Sequence, residues 1–425
     1  MSDQGARSMT HQADVVIVGG GCIGATIARD LAADHDVVLV ERGQIAGETT
    51  GHASGIVQPQ YQFAHLPEAG RLAFEFFEEL DGHRNYQYTE RELVNLHGPA
   101  ETEAAQAYTE RVSANGGYDA EWLSATEIGE RYPGVFDVSE GSPIAGGMVY
   151  RRMGWIDPYT FATTMSADAD ERGGTIHTGT AVTDLLVEDG AVAGVATEEG
   201  EIRAQTVIVA AGRWSRTLLD GHVEVPIQPE RFWHVNLESD AVSDDRVSEE
   251  YPQFYMDLDF GDDLPAELGL DGFMATFWRP EHSGELHVAG IEGLLPSNPS
   301  VKHGVDEGFH LLLAERIEEL LVEFEGAAIA SDGCCPTGDA MSPDWLPIVD
   351  APGDGPDGLV VATGFSGLGL TASPIAAAAV RQLVDGGDAP FSLDSLSIDR
   401  FEDRSADFSE PPFDVFDLEI FELAE

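Results

Sequence analysis

Ala13–Val18 (ADVVIV) is a short apolar run rich in β-branched residues, which predicts a buried strand. Gly19-Gly20-Gly21 breaks it. From Ile23 to Ala33 small and apolar residues return at helical spacing, and Val37–Val40 (VVLV) is a second buried strand ending at Glu41. Together they predict a βαβ unit. Further along, the pattern predicts an amphipathic helix over Phe74–Leu80, a helix around Glu101–Ala114 and another over Pro158–Arg172. Thr180–Val187 and Val192–Thr197 read as a hairpin and Thr206–Ala210 as a strand. Residues 223–290 alternate like strands, interrupted by the acidic segment Glu238–Asp271. Val305–Phe324 is helical, with apolar Phe309, Leu312, Leu313, Ile317, Leu320 and Leu321. Leu359–Ala362 is a last buried strand, followed by a helix from about Thr371 to Val384. The tail from Ala406 is acidic with scattered Phe, and no internal repeat is visible.

A chain of 425 residues suits two domains or one domain with a large insertion, and a hydrophobic fraction of 43% suffices for a core. The formal net charge is −55. Disorder would also need low hydrophobicity, so the charge belongs on the surface of a folded protein. The single lysine, Lys302, stands against 21 arginines. An acidic, lysine-poor surface resembles that of salt-in halophile proteins, in which molar salt screens self-repulsion. The charge argues against nucleic acid and anionic membranes as partners. Cys22, Cys334 and Cys335 form no disulfide framework and no metal spacing, so no metal is expected. Gly358–Val380 is long and uncharged, but Gly364, Ser366, Gly367, Gly369 and Pro374 interrupt it. It reads as strand, glycine loop and helix, not as a span. With no signal peptide evident, a soluble cytoplasmic protein without membrane insertion is expected.

Gly19-Gly20-Gly21-Cys22-Ile23-Gly24 fits G-x-G-x-x-G, and its setting strengthens the match. A strand precedes it, a helix follows, and Glu41 closes the second strand 22 positions after Gly19. Gly19 permits the tight turn, Gly21 lets backbone approach a pyrophosphate, and Gly24 lets helix and strand pack closely. The helix N-terminus offers N–H groups and a positive dipole end to phosphates, and Glu41 can accept from ribose hydroxyls. Three later segments favour FAD over NAD. Thr206–Trp214 (TVIVAAGRW) is a strand ending in small residues. Gly47–Gly55 (GETTGHASG) follows the second strand. Gly364-Phe365-Ser366-Gly367-Leu368-Gly369 joins a strand to a helix, and such a loop aims N–H groups at the anionic edge of a reduced flavin.

The order of VVIVGGGCIGATIARDLA with Glu41-Arg42, GWIDPYTFATTM, TVIVAAGRWS, FWRPEHSGELHVAG, MSPDWLPIVD and LVVATGFSGLGLTASP spans nearly the whole chain. Taken together, these segments resemble the FAD-dependent oxidoreductases of the D-amino-acid oxidase superfamily, which includes sarcosine oxidases, glycine oxidase and the sarcosine and dimethylglycine dehydrogenases. The resemblance implies an α/β (overall α+β) fold: a discontinuous Rossmann-like FAD domain with a substrate domain built on an antiparallel sheet. Expected boundaries are 1–85, 140–217 and 330–405 for the FAD domain, 86–139 and 218–329 for the substrate domain, and 406–425 for the acidic tail. Expected FAD contacts are Gly19, Gly21, Ile23, Gly24, Glu41, Arg42, Thr49, Thr50, His52, Ala53, Gly55, Val182, Ala211, Gly212, Trp214, Gly364, Phe365, Ser366, Gly367, Leu368 and Gly369.

Thr49–Gly55 resembles the TTWHAAG-like segment whose histidine carries the flavin covalently in the dehydrogenase branch. Here Gly51 replaces the aromatic residue, so His52 is read either as the covalent link or as a neighbour of noncovalent FAD. Arg279 and His287 are the expected catalytic residues. Arg279 could fork a substrate carboxylate. His287 falls near the position of the lysine that promotes reaction with oxygen in monomeric sarcosine oxidases. Cys335 stands where glycine and D-amino-acid oxidases carry a carboxylate-binding arginine before the proline matched by Pro336. Ile56–Tyr61 lacks the arginine that sarcosine oxidases place there. The resemblance therefore implies oxidation of a small amine or amino acid, at an N-methyl or α C–H, by hydride transfer to flavin N5 and imine hydrolysis. An α-hydroxy-acid or glycerol-phosphate dehydrogenase, or a non-catalytic flavoprotein of complex assembly, are the alternatives. Substrate, electron acceptor and oligomeric state stay open.

Overall fold

The computed structural model describes residues 9–116, 119–259, 273–294, 307–335, 337–387 and 390–405. Lys302, Pro336 and the tail from Ala406 lie outside the described residues. The βαβ unit forms as the pattern predicts: strand β1 (Val15–Val18), helix α1 (Cys22–Leu31) and strand β2 (Val37–Val40). Both strands are buried on both faces, which explains their unbroken apolar runs. They lie in a six-stranded sheet of order Thr175–His177, β2, β1, Thr206–Val209, Leu359–Thr363, Ile348–Asp350, of which only the last strand runs antiparallel.

Helices cover one face of this sheet. Helix α1 packs between the helices Pro158–Glu171 and Gly369–Asp385 in one apolar cluster. Helix Pro158–Glu171 starts where Asp157 accepts the Thr160 N–H at 2.6 Å and Pro158 occupies the first turn. In helix Gly369–Asp385, Pro374 cannot donate to the Leu370 carbonyl, and the Ser373 hydroxyl does so at 2.8 Å. The opposite face of the sheet packs on a four-stranded sheet that contains the expected hairpin, Val182–Glu188 with Ala191–Thr197.

A nine-stranded sheet forms the other large layer. Its strands include Leu93–His97, Ala120–Ser124, Gly146–Tyr150, Gln228–Glu238, Gln253–Asp259, Phe273–Pro280, Leu286–Leu294 and Ala328–Cys334. Gly146–Tyr150 thus lies past the expected domain switch at 139/140, and Ala328–Cys334 straddles the one at 329/330. The acidic segment is also not a plain interruption: it holds helix Asp244–Glu250 and strand Gln253–Asp259. That strand alternates Phe254, Met256 and Leu258 toward the core, and its acids Asp257 and Asp259 hid the period. The expected long helix over Val305–Phe324 is helix Glu307–Glu318 plus a short turn Val322–Phe324. Its Leu313 and Ile317 are buried against Trp233, Val235, Trp278 and Val288 of the sheet. Among the described residues no helix is long and apolar enough to cross a membrane, and no group of side chains could hold a metal ion.

Candidate active site

Beyond β1 the chain turns at Gly19, whose φ of +113° suits glycine. A Cβ on Gly19 would lie 2.3 Å from the Ala210 carbonyl oxygen, and one on Gly24 would lie 1.9 Å from that of Gly19. Both obstacles are backbone, so only hydrogen fits. The Cys22 N–H at the start of α1 donates to Thr50 Oγ1 at 3.0 Å. Glu41 is fixed by two amides: Gly20 N–H donates to one carboxylate oxygen and Gly43 N–H to the other, each at 2.7 Å. Above this floor opens a cleft of about 370 Å³.

Gly19, Gly21, Ile23, Glu41, Arg42, Thr49, Thr50, Ala53, Val182, Ala211, Gly212, Trp214, Phe365, Gly367 and Gly369 line this cleft. Six expected contacts stand back from it. Gly24 serves helix packing, and Gly55, at φ +80°, has the Ile156 carbonyl where a Cβ would go. Gly364, Ser366 and Leu368 shape the C-terminal loop. His52 is exposed in the short turn Thr49–His52. Cys22, Glu48, Arg213 and Asp339 line the cleft without having been singled out. Arg213 lies within the TVIVAAGRWS segment. Asp339 carries no sequence signal.

Three N–H groups of the C-terminal loop have acceptors within the protein. Ser366 N–H donates to the Ala340 carbonyl at 2.9 Å, Gly367 N–H to Asp339 Oδ2 at 2.8 Å and Leu368 N–H to the Phe365 carbonyl at 2.7 Å. These three donors are committed within the protein. The first N–H groups of the following helix, which have no intrahelical acceptor, remain. Burial pushes the Asp339 carboxyl above its ordinary range.

A second polar region lies on the nine-stranded sheet. Within strand Gln228–Glu238, residues 232–237 alternate: Trp233, Val235 and Leu237 face the apolar core, while Phe232, His234 and Asn236 face the other way. That other face meets the C-terminal loop, because a Cβ on Gly367 would lie 2.7 Å from the Phe232 ring. Asn236 is opposite His287, and His287 is opposite Arg279, so the three share this face. His287 Nδ1 and Asn236 Oδ1 are 2.7 Å apart. The rings of His234 and His287 stack at 5.3 Å, and a Cβ on Gly333 would strike the His234 ring at 2.5 Å. Burial, then Arg279 and His234, hold His287 well below the ordinary imidazole range. Burial lowers His234 too, followed by His52 and His310.

Arg279 is 6% exposed and lies over the Trp155 ring, its guanidinium carbon 4.4 Å from the ring centre. Its Nε donates to the Ser54 carbonyl at 2.5 Å and its Nη2 pairs with Glu281 at 2.8 Å. A free two-nitrogen fork is therefore not present; only Nη1 has no protein partner. Gly51 also has a local reason: a Cβ there would lie 2.3 Å from the Ala46 carbonyl, leaving no room for the aromatic residue of the related segment.

Residues 14–383 match the family model described as FAD-dependent oxidoreductase. The chain belongs to that family. The oxidoreductase is 24% identical over 400 residues to 4-methylaminobutanoate oxidase (formaldehyde-forming) of Paenarthrobacter nicotinovorans, covering 91% of this chain and 45% of that protein. It is 24% identical over 413 residues to human mitochondrial dimethylglycine dehydrogenase, covering 92% and 44%. It thus spans about half the length of these curated relatives. Among solved structures, glycine oxidase from Geobacillus kaustophilus superposes with a TM-score of 0.76 at 21% identity, covering 92% of this chain and all of that one. That likeness is one of fold.

The cleft of the oxidoreductase fits FAD on its own chemistry. Glu41 presents a carboxylate held by two amides beside a helix N-terminus, the glycines leave backbone accessible, and Arg42 and Arg213 supply cations. Arg42 also lies over the Trp214 ring at 4.1 Å and pairs with Glu48 at 2.5 Å.

Proposed function

We propose that this chain oxidises a small amine or amino acid carrying a carboxylate, with FAD in the glycine-lined cleft and the substrate under the polar face of the nine-stranded sheet. The cofactor domain then comprises the six- and four-stranded sheets with their helices, and the substrate domain the nine-stranded sheet. One observation carries the reading: a buried arginine with one uncommitted nitrogen stands directly opposite a buried imidazole held neutral. Gly19, Gly21, Glu41, Arg42 and the turn Thr49–Thr50 would hold the cofactor. When bound, FAD supplies a two-electron acceptor for a hydride. Arg279 anchors the carboxylate, and the low-dielectric sheet face favours the neutral amine over its ammonium form. Trp155 keeps the arginine in place from below. The imine product hydrolyses in water.

Anaerobic mixing with a panel of amino acids, N-methyl amino acids and hydroxy acids tests this. Bleaching of the flavin absorbance by an amine is the expected result; bleaching by hydroxy acids alone would overturn the substrate class. His287 in place of the oxygen-promoting lysine predicts faster reoxidation by an artificial acceptor than by oxygen. His52 is read as a possible attachment point for the flavin, and acid precipitation decides it. Yellow colour in the pellet that His52→Ala releases supports the bond, while colour wholly in the supernatant excludes it.

A further inference from the structure

Across four adjacent strands Arg279, His287, Asn236 and Ser331 stand directly opposite one another, a polar row on one sheet face. Asn236 Nδ2 donates to Ser331 Oγ at 2.8 Å. That bond turns Asn236 Oδ1 toward His287, so Oδ1 accepts from Nδ1–H at 2.7 Å. A hydrogen bond at one imidazole nitrogen sets the state of the other. Nε2 of the neutral ring therefore carries the lone pair, and it is buried with no protein donor. On the neighbouring strand Nη1 of Arg279 is buried with no protein acceptor. The charged and titratable groups facing His287 are Arg279 and His234; Glu281 is held by Arg279. With one cation already present, a second on His287 is disfavoured.

We propose that this row reads the substrate's nitrogen: Arg279 Nη1 donates to the carboxylate while His287 Nε2 accepts from an amine N–H, so that the site selects primary and secondary amines over tertiary ones. This rests on the amine reading above. The oxidisable form is the neutral amine, which must keep its lone pair free as the C–H bond breaks. A neutral secondary amine has both a lone pair and an N–H. A neutral tertiary amine has no N–H, and it leaves Nε2 buried and unmet. Leaving a buried acceptor unsatisfied reduces kcat/KM by about ten- to hundredfold. Asn236 and Ser331 act through His287 and are positioning residues.

Two measurements on the FAD-loaded protein test this. In nitrogen-15 NMR of histidine-labelled protein, assigned by loss of a signal in His287→Gln, His287 should be neutral at neutral pH with its proton on Nδ1. Asn236→Leu should abolish that tautomer preference, and Asn236→Asp should raise the pH at which the ring titrates. A proton on Nε2, or a cationic ring at neutral pH, overturns the proposal. Matched pairs then serve as probes: N-methylglycine against N,N-dimethylglycine, and N-methylalanine against N,N-dimethylalanine. Wild type should prefer the secondary member about ten- to hundredfold, and His287→Leu should collapse that ratio. Equal kcat/KM for both members, or a ratio that survives His287→Leu, overturns it. Failure of every amine to bleach the flavin overturns the amine reading instead, while the tautomer measurement still judges the row.

Discussion

The glycine turn after β1 lines the cleft and the polar row stands on the nine-stranded sheet, and different forces define them. At the turn the shape is backbone against backbone, with Gly24 pressed on the Gly19 carbonyl and Gly19 on that of Ala210. Nothing there can swing aside. In the row, side chains from four strands are set by hydrogen bonds, and the nearest obstacle to change, the His234 ring over Gly333, can rotate. One region should therefore fail through sterics and the other through chemistry, with the fold intact.

The sharpest way to separate them is a matched pair of glycine substitutions. Gly24→Ala should cost about 3 kcal/mol or more and give colourless protein with a lowered Tm. Gly333→Ala should stay folded and yellow while its amine kinetics change. Equal loss of Tm in the two would break the comparison.

Behind the cofactor layer, Asp168 accepts from His83, Arg84 and Arg29 at 2.9, 2.7 and 3.1 Å. Burial raises its pKa, but these three bonds outweigh it and hold the carboxyl at about 2. A folded pKa below the unfolded one adds stability that is complete above the ordinary value of 3.8 and is lost as pH falls through about 2. The urea midpoint should drop across that window, and Asp168→Asn should flatten this limb. Asp168→Ala should cost about 3 kcal/mol at neutral pH by removing the buried acceptor shared by Arg29, His83 and Arg84, again with effects on the layer under the cleft.

Arg279→Ala tests the other region. It should raise KM about ten- to hundredfold, corresponding to about 1.5–3 kcal/mol for a charge-assisted bond, with flavin content unchanged. An unaltered KM removes Arg279 from the substrate site. Salt acts on neither region but on the surface around both. With 77 acids against 22 bases, Tm should climb modestly from dilute buffer to molar KCl; a flat curve would dismiss the salt-adapted reading.

The same contrast explains what could be read in advance. The turn was legible because its constraints are local: strand, glycines, helix and Glu41 lie within one stretch, and each residue type follows from backbone geometry. The row was not, because Asn236, Arg279, His287 and Ser331 meet only through strand register. Resemblance points to Arg279 and His287, whereas His234 and Asn236 look like ordinary polar positions of an alternating strand. Asp339 carries no local signal for a similar reason: its partner, the Gly367 N–H, is distant in sequence. The strand Gln253–Asp259 was hidden by the acids around it, since surface charge obscures a period of two.

Gly333 also bears on how such an enzyme changes over generations. It lies on Ala328–Cys334, the outermost strand of its sheet, where neighbouring positions are largely exposed. A mutation there meets little of the core, yet its first added carbon reaches the imidazole that stacks on His287. On the amine reading proposed above, substrate preference would drift through this rim position, which stands apart from the residues lining the cofactor cleft.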